Sequence, residues 1–396
     1  MTDPVPHAPT LRRAVGLWAL VFYGLSVIVG AGIYVAIGAV MARAGNAAPI
    51  AFLLAGVAAG LTGLCYAELA GRFPEAGGAA AYVRHGFGSD RLAQLVGGTI
   101  TLTVAIGAAS IARGAAQYMA PLITLPEPAL ITGLIVIFIG IASVGVQASV
   151  GLAALTGALE LAGLAAAIIA GLVAAPSWHP AAFLPIAWSA WPGIMAGAFI
   201  AFFAFIGFET LANMAEEVRD PRRNVPRCIV GALAASIIVY VLVAVAMVLS
   251  FRTGATPLLD VFSGRAAIWF AGVGFVAVAN GVLVHIMMLS RLFYGMARKH
   301  ELPACLGRVH AGTSTPLIAT VCAGALVLGA ALALPFDRLL TLTNALTLLV
   351  FMVVDLALWR VQRIAPAPAG GLSVPPWLPL AAAAVSLGLL LAEWLG

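Results

Sequence analysis

Two carboxyl groups, one histidine and two glycine-interrupted runs are the parts of this chain that can do chemistry, and all of them stand in apolar sequence. Glu160 lies in LTGALELAGLAA, Glu209 closes FFAFIGFE, and His285 lies in NGVLVHIMML. An ionisable side chain in such surroundings costs about 3 kcal/mol even on permissive insertion scales, so it marks a site by default. Glu160 has two readings: a proton carrier, or a permanently protonated group that hydrogen-bonds helices together. Glu209 either titrates as a pocket opens and closes or ties a broken helix to its neighbours through backbone N–H groups. His285 either contacts substrate or relays a proton, since imidazole titrates near neutrality, or is simply hydrogen-bonded in a polar seam. Asn280, five residues earlier, has the same two readings. Arg113, in SIARGAAQY, is the basic residue well inside an apolar run, placed to pair with a carboxylate or to reach the outer surface.

The glycine runs offer backbone chemistry. VIVGAGIYVAIG carries Gly30 and Gly32 at its middle, and FFAFIGFE carries Gly207. A glycine within a helix costs about 1 kcal/mol against alanine, and groups freed by a break in a bilayer must face a cavity rather than lipid. The second half of a broken helix starts with free N–H groups where an anion is favoured, and the first half ends in carbonyls where a cation is favoured. The competing reading is that the glycines only permit close packing, the role expected of Gly56 and Gly60 in a GxxxG run.

The elements that must position these groups follow from composition. The chain has 396 residues, 63% hydrophobic and 9% charged, which excludes a soluble globular enzyme and implies an all-α polytopic membrane protein. Its net charge of +5 comes from arginines at helix ends, not from a basic patch with interleaved aromatics, so no nucleic-acid partner is expected; the partner is the lipid bilayer. Cys65, Cys228, Cys305 and Cys322 have no paired spacing, so neither a disulfide framework nor a metal site nor a cofactor is expected. The polar first ten residues precede an apolar run too long for a signal-peptide core, so no cleavage is expected.

Length and Gly, Pro and Arg boundaries mark eleven spans, at 17–40, 47–70, 92–120, 128–146, 149–174, 191–215, 227–250, 265–290, 315–334, 338–360 and 376–395. With residues 1–16 as a cytoplasmic tail, fifteen Lys and Arg residues fall on the inside and only Arg43, Arg252, Arg265 and Arg338 on the outside, so the N-terminus is expected in the cytoplasm. The two glycine runs open successive five-helix blocks, 17–174 and 191–360, with 376–395 an additional helix. Five is odd, so the second block enters the membrane from the opposite side. Gly-broken helices at matching places of two inverted halves predict a site at the midplane of a secondary transporter.

Four stretches carry a family resemblance: IVGAGIY at 28–34, CYAELAGRFPEAGGAAAYV at 65–83, FFAFIGFETLANMAEEVRDPRRNVPR at 202–227 and SRLFYGMARKHELPACLGRVH at 290–310. In order and spacing the chain resembles the amino acid–polyamine–organocation permeases, with a LeuT-type fold of five plus five inverted helices and broken helices 1 and 6. Many members have twelve spans and this sequence has eleven, which bears on dimer contacts or regulation and leaves the ten-helix core intact. The resemblance implies an amino acid substrate, with N–H groups of Gly30, Ala31 and Gly32 for its carboxylate and carbonyls near Ile28, Phe203 and Ile206, beside Gly207, for its ammonium. It implies a gate at Phe203, with Phe202, Phe205 and Phe208 packing. It sets His285 on a pocket-lining stretch, and it sets Glu160 where some sodium-independent relatives carry a lysine.

The function expected is a secondary carrier of neutral amino acids working by alternating access in the plasma membrane, as a monomer or a homodimer. Glu160 and Glu209 are the coupling candidates and H+ the candidate ion. No GxxxxGK[ST] run occurs, so transport is driven by a gradient or by exchange. Cationic amino acids or polyamines are the alternative substrates, and a non-transporting sensor or channel on the same fold is the alternative of another class. The charges of EEVRDPRRNVPR are read as a solvated loop or as an inner gate network with RFPEAGG at 72–78.

Overall fold

The computed structural model describes residues 15–75, 78–144, 150–175, 187–215, 218–250, 257–298, 300–310, 313, 315–366 and 371–395. Its elements are helices: α1 (Leu17–Val29), α2 (Ala31–Ala44), α3 (Ala48–Arg72), α4 (Gly78–Phe87), α5 (Asp90–Met119), α6 (Glu127–Val144), α7 (Val150–Ala174), α8 (Trp191–Ala201), α9 (Thr210–Asn213), α10 (Pro221–Leu249), α11 (Pro257–Asp260), α12 (Gly264–Arg298), α13 (Leu317–Ala333), α14 (Phe336–Ile364) and α15 (Leu378–Leu395). Eight stretches are long and apolar enough to span a membrane, the first of them, Leu17–Arg72, holding two expected spans, and Leu317–Ala333 and Leu378–Glu393 are shorter apolar helices. The chain is an all-α, multi-pass membrane protein. Exposed Leu95, Val136, Ile169, Val173 and Ile238 lie on the outside, where hydrocarbon meets them. The weak boundary at 145–149 lies outside the described residues.

Local chemistry sets the helix ends. Pro49 and Pro192 occupy the first turns of α3 and α8, where a missing N–H costs nothing. Ser89 Oγ accepts from the Leu92 N–H at the start of α5. α10 begins after Asp220, whose φ is 49°, and holds Pro226 in its second turn. Proline there leaves the Arg222 carbonyl without its helical donor, and Gly71 of α3 packs against that carbonyl.

The close α3–α10 contact corrects one expectation. A Cβ at Gly56 would lie 2.6 Å from Ile237, and one at Gly63 would strike Leu233, but Gly60 has nothing within 4 Å. The seam uses Gly56 and Gly63, two helical turns apart, because seven residues return to the same face of a helix. The tail side of α1 meets the connection between the sixth and seventh spans: Val15 pairs with Val218, and the Arg219 N–H donates to the Val15 carbonyl at 2.9 Å.

Candidate functional site

Both glycine runs are breaks. α1 ends and α2 begins at Gly30, whose φ and ψ are −45° and −140°. The sixth span runs from α8 through a 3₁₀ turn, Phe202–Phe205, to Ile206 in extended conformation, then Gly207 at φ 128°, then the single turn α9. The two breaks touch through backbone. A Cβ at Gly32 would come within 2.8 Å of Ala204 Cα, and one at Gly207 within 3.2 Å of the Val27 carbonyl oxygen. Only glycine lets two such segments approach this closely, and at Gly207 the positive φ demands it as well.

Their free polar groups are treated differently. In the sixth span the Ile206 N–H donates to Phe203 O, the Gly207 N–H to Glu209 Oε2 at 2.8 Å, and those of Thr210, Leu211 and Ala212 to the turns behind them. Asn344 of α14, fully buried, donates to the Phe199 carbonyl at 2.7 Å. In the first span the Gly30 N–H donates to Ser26 O, but α2 has no side-chain cap. The N–H groups of Ala31, Gly32 and Ile33 stand in its first turn, where no carbonyl of the helix can reach them.

Tyr240 of α10 links the two breaks. Its hydroxyl lies 2.6 Å from the Ile28 carbonyl and 2.8 Å from that of Ala204, so one proton is shared between the carbonyl ends of both first halves. The Ile28 carbonyl expected to face an ammonium thus accepts from this phenol together with that of Ala204, while the Phe203 carbonyl accepts from the Ile206 N–H. Phe205 and Phe52 pack edge-on against the Tyr240 ring and hold it there. No motif marks this tyrosine in YVLVAVAMV; a phenol within an apolar run was the signal available.

Glu160 faces the first break. It is 3% exposed, and its Oε2 lies 3.7 Å from where a Gly30 Cβ would stand. Its own carbonyl accepts from the Tyr34 hydroxyl at 2.8 Å, and Tyr118 in turn donates to Tyr34 O, so α7, α2 and α5 are bolted together beside the break. Phe203 is buried. Phe202 packs on Phe351, and Phe208 on Tyr66 and Phe351.

The remaining candidates have local partners. His285 Nδ1 lies 2.7 Å from the Gly281 carbonyl of its own helix, and Gly281 packs against Ala31, so the ring stands one turn from the first break. Asn280 reaches Thr156 of α7. Arg113 donates to Ala331 O at 2.9 Å and faces Glu127. The inner gate network is not formed among the described residues. Arg72 is bonded to Glu68 and to the carbonyls of Ala365 and Pro366, Glu75 to His85, and Arg223 faces Asp220; Glu216 and Glu217 lie outside the described residues.

The sequence that builds these two touching breaks has relatives among known proteins. The sequence profile described as amino acid permease matches residues 15–392. The chain belongs to the amino acid permease family. Among relatives of this permease, a vacuolar cationic amino acid transporter 4 of Arabidopsis thaliana is 30% identical over 397 residues, which is 91% of this chain and 65% of the relative. The methylthioribose transporter of Bacillus subtilis (strain 168) is 29% identical over 96% of this chain and 88% of its own length. Cationic amino acid transporter 4 of Homo sapiens is 29% identical over 91% and 62%. The permease thus spans a little under two thirds of the plant and human transporters it resembles. Names of relatives include vacuolar, chloroplastic and mitochondrial, so the family occupies several membranes.

Proposed function

We propose that this permease is a secondary active transporter of amino acids that works by alternating access, with residues 17–174 and 191–360 as inverted halves and the N-terminus in the cytoplasm. The observation that carries the reading is the junction of the two breaks. Uncapped N–H groups at the start of α2 suit a carboxylate, and the carbonyls of Ile28 and Ala204, joined through one phenol, suit an ammonium. Ala31 and Gly32 hold the carboxylate and Phe203 closes over the substrate. Glu209, whose carboxylate is committed to the Gly207 N–H, shapes the sixth span; Glu160 carries the coupling proton in a symport or exchange cycle.

A second reading is favoured by Glu160 itself. A carboxyl group against Gly30 can receive the charged end of a cationic amino acid or a polyamine, and several relatives are named cationic amino acid transporters. The discriminating experiment is uptake of labelled neutral and cationic amino acids into proteoliposomes, with and without an inward proton gradient, for the parent and Glu160→Gln. Proton-stimulated uptake of neutral substrates that loses its stimulation in Glu160→Gln, while binding persists, supports the first reading. Selective loss of cationic substrates in that variant supports the second. If neither class is accumulated or exchanged, the carrier reading is wrong.

A further inference from the structure

A third acid lies inside the apolar bundle, away from both glycine breaks. Asp355 stands two thirds of the way along α14 in the run VVDLALW and is fully buried. Its Oδ2 accepts from Thr62 Oγ1 of α3 at 3.0 Å, while its Oδ1 has no hydrogen-bond partner among the described residues. Cys65, one turn along α3, is buried as well. The next residue, Tyr66, has a buried hydroxyl that also lacks a partner among the described residues. Its ring packs on Phe208 of the sixth-span break, next to Glu209 in sequence, and on Phe351 of α14. Together with Gln362 Oε1, three polar atoms without a partner among the described residues are thus buried between α3 and α14, and Asp355 Oδ1 is the carboxyl oxygen among them.

The charged neighbours do not neutralise Asp355. None of the ion pairs among the described residues includes it. On α3, Glu68 is taken by Arg72, Gln362 and the Val374 N–H. On α4, Tyr82 packs on Tyr66 with its own hydroxyl unpartnered, Arg84 pairs with Asp90, and His85 with Glu75. On α5, Arg113 is bonded to Ala331 O; on α15, Glu393 accepts from Thr341; on α14 itself, Arg360 lies over the Phe87 ring. A metal ion would need several oxygen ligands, and Asp355 has beside it one hydroxyl, a thiol and aromatic rings. A proton neutralises the carboxylate without any of them.

We propose that Asp355 is a proton-binding site of this permease, distinct from Glu160, on the seam that joins α14 to α3. Protonated, it lets the two helices pack dry. When the seam opens, the proton leaves to entering water, the carboxylate keeps water in place, and Tyr66 transmits the change to Phe208 and Glu209 at the sixth-span break. The proposal rests on the carrier reading for its role in the cycle, but the proton site itself is measured independently of transport.

The test is infrared difference spectroscopy of the purified protein at neutral pH on the parent, Asp355→Asn, Glu160→Gln and Thr62→Val, beside uptake with and without a proton gradient. We expect the carbonyl band of a buried carboxylic acid to vanish in Asp355→Asn and persist in Glu160→Gln. We also expect gradient stimulation of uptake to be lost in Asp355→Asn. Thr62→Val keeps the carboxyl and removes its donor, so the band shifts, which covers the case in which Asp355→Asn does not fold. A band unchanged in Asp355→Asn, or unshifted in Thr62→Val, overturns the proton site. Full gradient stimulation in Asp355→Asn overturns its role in coupling. If the parent transports nothing while the band still vanishes in Asp355→Asn, the carrier reading fails and the proton site stands.

Discussion

The two broken spans are built from similar residues and finished in opposite ways. In the sixth span the N–H groups of Ile206, Gly207, Thr210, Leu211 and Ala212 are bonded within the span, that of Gly207 to Glu209 and the others to carbonyls three residues back. In the first span α2 begins with no side-chain cap, and its first N–H groups are left for a partner outside the helix. The proposed carboxylate site draws on this difference: the N–H groups at the start of α2 have no carbonyl of their own helix to reach. The halves are alike in sequence signal and unlike in chemical readiness, and the two are joined by Tyr240.

The largest effect should come from forcing the two breaks apart. Gly32→Val places side-chain atoms where Ala204 Cα already stands at 2.8 Å from a Cβ. We expect a loss of about 3 kcal/mol, at the top of the overpacking range, and no uptake; a detergent melting curve like the parent's would mean the close approach is dispensable. Tyr240→Phe leaves the Ile28 and Ala204 carbonyls buried without their shared donor. A cost of about 2 kcal/mol is expected, with added amino acid raising the melting temperature more than in the parent, because an ammonium then supplies the missing protons. An unchanged or smaller ligand-induced shift would argue that the phenol and the substrate do not share these carbonyls.

Glu209 sharpens the contrast from the other side. Glu209→Ala frees the Gly207 N–H and should cost about 1 kcal/mol. Glu209→Gln keeps an acceptor at the same place, so stability and substrate affinity should stay within about 0.5 kcal/mol of the parent. Loss of gradient-driven uptake in Glu209→Gln at normal stability would make this carboxyl a coupling group, and the sixth break would no longer be merely a shaped one.

Much of the architecture was legible because bilayers impose strong length and polarity rules. The apolar runs, the glycines at 30, 32 and 207, and the burial of Glu160 could be read without coordinates. Gly60 was misjudged because spacing alone does not say which face of α3 meets α10. Asp355 and Glu68 were passed over because a paired acid and an unpaired one on membrane helices look alike when their spatial neighbours are unknown. Tyr240 gave only the weak signal of a phenol in an apolar run, and its role shows once two carbonyls from distant segments are found around it.

The linear order of residues by itself determined that this chain crosses a membrane repeatedly as helices, that its helices break at glycine, and that it belongs among the permeases, since apolar length, backbone freedom and motif order are properties of neighbours in sequence. The tertiary structure alone decided which break is satisfied and which is open, that Tyr240 bridges them, and that Asp355 meets Thr62 across 293 residues. Hydrogen-bond satisfaction is a property of groups brought together in space, and no local pattern contains it.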